Sequence, residues 1–309
     1  MGGVLPTAPY QCVEGSYDIQ YQRKGSVDHV GSGSTGEVRA CTHAGTKEMR
    51  CVKSIEKVSW LTRMHVMEEI SVLKAVSGKH PNIVRYIEFF EEWGTISLIF
   101  EFCPKGNLDQ AIQSSMLRSG GERLASNLLH QITSALAFLP EMKIVHRDVK
   151  PANLVFSDGM TLKLTDFGSA CFASAPLQEC QGSPAFYAPE QSNLHRGKGY
   201  SFPVDMWALG ISFYMLLFDG VHPFQSETAG QMHRNNYRSG EFQVGWLTSR
   251  GASDLLEWLL MPNPDQRIGP SDAVNHAWFS SYGYGNGSFT KSRPTKLALD
   301  SHGNWRPTY

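Results

Sequence analysis

Several absences bound what this chain of 309 residues can be. No apolar run is long enough to cross a bilayer. The longest, Trp207 to Phe218, falls short of the roughly 18 residues that a spanning helix needs and contains Gly210 and Ser212, so it reads as a buried core helix. The six cysteines (Cys12, Cys41, Cys51, Cys103, Cys171, Cys180) contain no C-x-x-C pair, and in a chain of this size they read as free thiols in a reducing compartment. The charge lacks a basic excess, with 28 Lys and Arg against 29 Asp and Glu, which argues against general nucleic-acid or membrane-surface binding. The N-terminus shows no apolar stretch of the secretory type. Met1-Gly2-Gly3 opens like an acylation signal, but Pro6 stands where that signal needs Ser or Thr. Asn286-Gly287-Ser288 fits a glycosylation sequon, which a cytoplasmic chain does not use. No internal repeat is visible.

What is present is an ordinary globular balance, 41% hydrophobic and 18% charged, long enough for one large domain or two lobes sharing a cleft. Chemistry-bearing motifs follow in order. Val30-Gly31-Ser32-Gly33-Ser34-Thr35-Gly36-Glu37-Val38 is a glycine loop whose backbone can close over phosphates without a Cβ clash. A dinucleotide fingerprint would need a helix directly after the glycines. Here Val38, Ala40 and Thr42 alternate and Ala44-Gly45-Thr46 reads as a turn, so the expectation is strand–loop–strand. Lys53 sits in the next strand, Met49 to Ile55. Met64, Met67, Ile70, Leu73 and Val76 give helical spacing over Ser59 to Val76, with Glu68 and Glu69 both able to face that lysine. Further on come Ile144-Val145-His146-Arg147-Asp148-Val149-Lys150-Pro151-Ala152-Asn153, then Thr165-Asp166-Phe167-Gly168, then Ala188-Pro189-Glu190. Asp148 can orient a hydroxyl and accept its proton, Lys150 can neutralise charge on a moving phosphoryl group, and Asn153 is a neutral oxygen donor suited to magnesium.

In this order and spacing, the motifs over about residues 26–280 resemble those of the eukaryotic-type protein kinases, of the serine/threonine class. The resemblance implies roles. Asp148 is the base and Lys150 its charged neighbour. Lys53 grips phosphates, and Asn153 and Asp166 hold magnesium. Glu69, followed by Ile70 and with Leu73 four on, is preferred to Glu68 as the partner of Lys53. Val30, Gly31, Ser32, Gly33, Gly36 and Val38 cover ATP, with Thr35 at the loop tip where the family often has an aromatic. Cys51 replaces the usual alanine against adenine. Phe100 is the gatekeeper, and Glu101 to Cys103 form the hinge. Phe167 packs beside Asp166, Asp205 holds the catalytic-loop backbone, and Arg267 pairs with Glu190. Ser183 bonds Asp148 and Lys150, and Lys150 itself excludes the tyrosine-kinase pattern. Ser174 is the best-placed candidate phosphosite for Arg147. Asp272 to Phe279 reads as a final helix, and its end, His276-Ala277-Trp278-Phe279, is similar to the calcium/calmodulin-dependent group, although the tail carries neither an EF-hand loop nor a basic amphipathic helix.

The expected fold class is α+β, a two-lobed protein kinase fold with a small antiparallel β-sheet lobe carrying one helix and a larger, mainly helical lobe. Residues 1–25 are expected as an irregular lead-in, 26–280 as the kinase domain divided near 102/103, and 281–309 as a disordered tail rich in Gly, Ser, Asn and Pro. The implied function is transfer of the ATP γ-phosphoryl group to protein Ser or Thr hydroxyls with Mg2+, in the cytoplasm with the nucleus left open. The alternative is a pseudokinase, a nucleotide-binding scaffold without turnover. Implied partners are protein substrates and an upstream activating kinase, with no nucleic acid and no membrane span. Asn107, Ala152 and Met215 stand where arginine-selecting kinases carry acidic residues, so no strong selection of basic residues before the acceptor is expected.

Overall fold

A computed structural model describes residues 10–12, 16–19, 29–33, 36–114, 117, 120–192, 199–224, 241–243, 248–289, 291, 297–299 and 305–307. The N-terminal half builds an antiparallel sheet from β1 (Tyr10–Cys12), β2 (Tyr17–Ile19), β3 (His29–Gly33), β4 (Gly36–His43), β5 (Met49–Glu56), β6 (Tyr86–Glu92) and β7 (Thr95–Glu101). Its order is β1-β2-β4-β5-β7-β6, with β3 also on β4. The glycine motif is the β3–β4 hairpin, where Gly31 faces Val38 and Gly33 faces Gly36, so the strand–loop–strand expectation holds. Gly36 has a steric reason to be glycine: a Cβ there would stand 2.5 Å from the Ser54 carbonyl oxygen.

One helix, α1 (Trp60–Val76), crosses this sheet. Ser59 caps it by accepting from the Thr62 amide, which satisfies one orphan N–H of the first turn. Its buried stripe contains Val66, Ile70, Leu73 and Val76, and Glu69 lies on the same stripe. A carboxylate is tolerated there only if it finds a cation.

The C-terminal half is mainly helical: α2 (Leu108–Gln113), α3 (Gly121–Phe138), α4 (Pro203–Leu217), α5 (Arg250–Leu259), α6 (Pro270–Ala273) and α7 (Ala277–Ser280). Short strand pairs lie between the halves. β8 (Ile144–Val145) pairs with β11 (Cys171–Phe172), and β9 (Leu154–Phe156) with β10 (Leu162–Leu164). α4 is the apolar run of the sequence, buried from Val204 to Tyr214. Gly210 lets it close on α5, since a Cβ there would meet Leu260 and Leu259 at 2.8–2.9 Å. No helix of the described residues is long and apolar enough to cross a membrane.

Three sequence expectations are corrected. The lead-in over 1–25 is not irregular throughout. β2 adds to the same edge of β4 that β3 occupies further along, and Tyr17 is buried there, edge-on to Phe90 with its hydroxyl 2.6 Å from Glu88. The tail is not wholly without structure. Tyr282, Tyr284 and Phe289 pack on the core, and β12 (Leu297–Leu299) pairs with β13 (Trp305–Pro307). Aromatic anchors among the glycines outweigh their composition. The helix expected over Asp272 to Phe279 is broken into α6 and α7, because His276 turns extended and caps α7 through Trp278 N.

Candidate active site

The cleft between the halves is lined by Val38, Cys51, Lys53, Glu69, Glu101, Cys103, Lys150, Asn153 and Asp166 among others. Val30, Gly31, Ser32 and Gly33 lie in β3 opposite β4. Thr35, expected at the loop tip, lies outside the described residues. Phe100 lines the rear of the cleft and meets Tyr86 edge-on at 5.9 Å. Residues that the sequence reading did not single out, Val84, Gly106 and Val155, complete the lining. Their only sequence signal is an apolar residue at a strand start or a glycine after Pro104, which is too common to select them.

On the upper wall, Lys53 projects from the middle of β5. Its Nζ lies 2.8 Å from Glu69 Oε1 on α1 and 2.9 Å from Asp166 Oδ1. Glu69 is buried and Glu68 is exposed, so the helix brings the former to the lysine. Burial penalises all these charges. It pushes the Glu69 carboxyl up, with Lys53 opposing, and it works against the ammonium. Two carboxylates on one lysine outweigh that and hold the Lys53 pKa above its ordinary value, so Lys53 itself stays an ammonium. Cys51 and Cys103 flank the space in front of the hinge. Burial drives both thiols up, Cys103 to about 12 with the Glu101 charge adding to it, so they serve as small apolar walls rather than nucleophiles.

On the lower wall, the catalytic-loop backbone is tied down before any side chain acts. Asp205 at the start of α4 accepts from the His146 and Arg147 amides, both at 2.8 Å. Arg147 holds the left-handed backbone, φ +67°, that this double contact accompanies. Asn153 donates its amide to the Asp148 carbonyl at 2.8 Å and to Asp148 Oδ2 at 2.9 Å. Lys150 also reaches Asp148 Oδ2, at 2.9 Å, and Ser183 Oγ at 2.7 Å. Asp148 Oδ1 is buried and has no hydrogen-bond partner, so the second bond expected from Ser183 is not made. Arg267 closes a fork on Glu190 at 2.7 and 3.0 Å, bracing the far end of this segment.

The sequence matches the family described as "Protein kinase domain" over residues 25–279. The chain belongs to the protein kinase family. It is 34% identical over 284 residues to serine/threonine-protein kinase DCLK3 of Mus musculus, covering 89% of this chain and 34% of that protein. It is 34% identical over 264 residues to NUAK family SNF1-like kinase 1 of Mus musculus, covering 82% and 38%. To serine/threonine-protein kinase DCLK2 of Rattus norvegicus it is 33% identical over 280 residues, covering 87% and 35%. The chain thus spans about a third of the length of these relatives. They bear out the resemblance to serine/threonine kinases related to the calcium/calmodulin-dependent group, and the two-lobed fold is the one the family implies. Membership of the family implies ATP as a substrate and usually magnesium.

Proposed function

We propose that this chain transfers the γ-phosphoryl group of ATP to serine or threonine hydroxyls of protein substrates. The observation that carries the reading is Asp148. One carboxylate oxygen is saturated by Lys150 and Asn153, and the other is buried with no partner. A native fold rarely leaves such an oxygen unmet unless a ligand completes it. A substrate hydroxyl placed there donates its hydrogen bond to Oδ1, which orients the oxygen toward the γ-phosphorus. The new O–P bond forms as the bond to ADP breaks, and the hydroxyl proton passes to Asp148. Lys150, bonded to the same carboxylate and half out of it toward Ser183, offsets negative charge on the phosphoryl oxygens. Lys53, kept charged by Glu69, grips the phosphates from above.

Asn153 and Asp166 suit magnesium. Asn153 uses its NH2 on Asp148, which leaves its carbonyl oxygen to join the Asp166 carboxylate as hard donors on the cleft. One carboxylate and one amide make a weak site alone, as expected where phosphate oxygens complete the shell. Bound there, magnesium would neutralise phosphate charge.

The kinase unit is read as extending from Tyr17 to Phe289, and the free thiols fit a cytoplasmic or nuclear setting. Asn107 spends its side chain capping α2, and Ala152 and Met215 are uncharged, so arginine before the acceptor is not strongly selected. An arginine-dominated peptide-library profile would refute that. Exposed Ser174 is open to an upstream kinase. The deciding experiment is magnesium-dependent transfer from γ-labelled ATP to mixed proteins, with Asp166→Asn as control and acid hydrolysis to identify the acceptor. Label on phosphoserine or phosphothreonine from wild type alone supports the reading. ATP binding without transfer in any phosphorylation state favours the pseudokinase.

A further inference from the structure

Two clefts outside the candidate active site meet behind the hinge. Lys79 and Arg85 line the first, Met49, Phe102 and Pro104 line the second, and Pro81, Glu101 and Lys163 line both. Their volumes, 410 and 590 Å³, lie in the range of roughly 300–1,000 Å³ that seats ligands. The floor is preformed. Glu101 Oε1, at the waist, accepts from Lys163 Nζ at 2.6 Å and from the Arg85 amide at 2.7 Å. Leu164 N donates to the Asn82 carbonyl at 2.8 Å and Val84 N to the Leu164 carbonyl at 2.9 Å, which stitches the segment before β6 to β10. Glu101 is thereby neutralised. His80 spends both ring nitrogens, on Ser134 Oγ and the Asn82 amide. Lys79 and Arg85 remain: both are exposed, and neither side chain meets a carboxylate among the described residues. Apolar surface is uncovered at the other end, where Met49 is 38% exposed. Asp158, also on the second cleft, is exposed. The groove therefore has a polarity, cationic at one end and apolar with one carboxylate at the other.

We propose that this groove docks a segment of protein substrates in which acidic residues adjoin an aliphatic one, the carboxylates on Lys79 and Arg85 and the aliphatic side chain beside Met49, Phe102 and Pro104. The inference rests on the proposed kinase reading and deepens it. The positions at which a charge would select residues beside the acceptor, Asn107, Ala152 and Met215, carry none, so a charged groove elsewhere supplies the discrimination that the cleft lacks. Opposed charge steers the encounter and fixes register, and the apolar contact supplies burial. Asp158 repels a segment laid in the reverse direction. A docked segment and an acceptor hydroxyl on one chain cooperate through effective concentration, so the gain falls on KM and not on kcat.

The test uses the full-length chain and synthetic peptides. A fluorescent peptide with a run of glutamates joined to Leu-x-Leu is titrated by anisotropy. It is expected to bind with Kd on the order of 10 μM, and more weakly as salt rises. Arg85→Glu with Lys79→Glu should weaken binding about tenfold or more, and Met49→Glu about threefold or more. None of the three residues lines the ATP cleft, so transfer to a short serine peptide without the acidic run should stay within about twofold of wild type. Joining the run to that serine peptide through Gly/Ser linkers of graded length should lower KM about tenfold at the best length with kcat unchanged, and the double variant should abolish the gain. A glutamate run lacking the leucines, or a single-stranded oligonucleotide, that binds as tightly overturns the inference, because it reveals a plain polyanion field. So does binding that survives the double variant, or an unchanged KM at every linker length. Docking without transfer to any peptide or protein, with ATP and magnesium present, overturns the kinase reading itself.

Discussion

The two walls of the cleft hold their charges by different means. On the upper wall, Lys53 depends on Glu69 and Asp166, three side chains from three distant stretches with no backbone bond between them. On the lower wall, Asp148, Lys150 and Asn153 lie within six residues, and the loop that carries them is fixed by main-chain amides on Asp205. Elsewhere in the fold, as at His146 behind the lower wall, histidine serves as a neutral bracket. His80, His146, His222 and His276 each accept, through Nδ1, from the amide two residues on, at 3.1–3.3 Å. Each donates Nε2–H across the fold, to Ser134 Oγ, Thr165 O, Ala185 O and Asp254 Oδ2. The upper wall can be dismantled by moving α1, whereas the lower wall cannot change without breaking backbone bonds.

The sharpest test of the lower wall is Asp148→Asn. Its geometry should survive, because the frame does not depend on the charge, while kcat falls about 10³-fold with ATP binding retained. Melting and ATP titration of the same sample separate the two effects. Asp205→Ala should do the reverse. It leaves two buried amides without an acceptor and should cost about 2–5 kcal/mol of stability by denaturant titration. An unchanged midpoint would mean that the amides find other partners and that the lower wall is not framed as described.

Glu69→Gln probes the upper wall. It leaves Lys53 with Asp166 alone and should lower kcat/KM about 10²-fold while barely moving the melting temperature of the large lobe. A loss confined to stability would place Glu69 with the scaffold instead. The smallest effect concerns pH. Burial holds His80, His222 and His276 below the ordinary imidazole value of 6.5. A depressed folded pKa gives stability that is full above 6.5 and lost as pH falls through the folded value. The melting temperature should therefore fall from pH 6.5 toward about 5, and His222→Asn, which keeps an acceptor for the Phe224 amide, should flatten that slope.

Much of this was legible because kinase chemistry is written locally. The glycine hairpin, Lys53 in its strand, and the run from His146 to Asn153 each declare themselves within ten residues, and steric need fixes their types. Helical spacing left Glu68 and Glu69 both open; the resemblance to the family preferred Glu69, and α1 buries it and leaves Glu68 outside. The short strands β1 and β2 were not legible, since three residues carry no period and the strand that ties them to the sheet, β4, pairs with β2 from more than twenty residues on. The tail misled by composition, because a few aromatics on a core count for more than many glycines between them.

By itself, then, the amino-acid sequence determined the family, the lobed plan and the candidate site residues, since these depend on residue type and short spacing. Tertiary structure alone decided which oxygen of Asp148 is left open and that four histidines share one tautomer. Those depend on where distant segments are brought within hydrogen-bond reach. At 3 Å such contacts are set by packing, which no local pattern encodes.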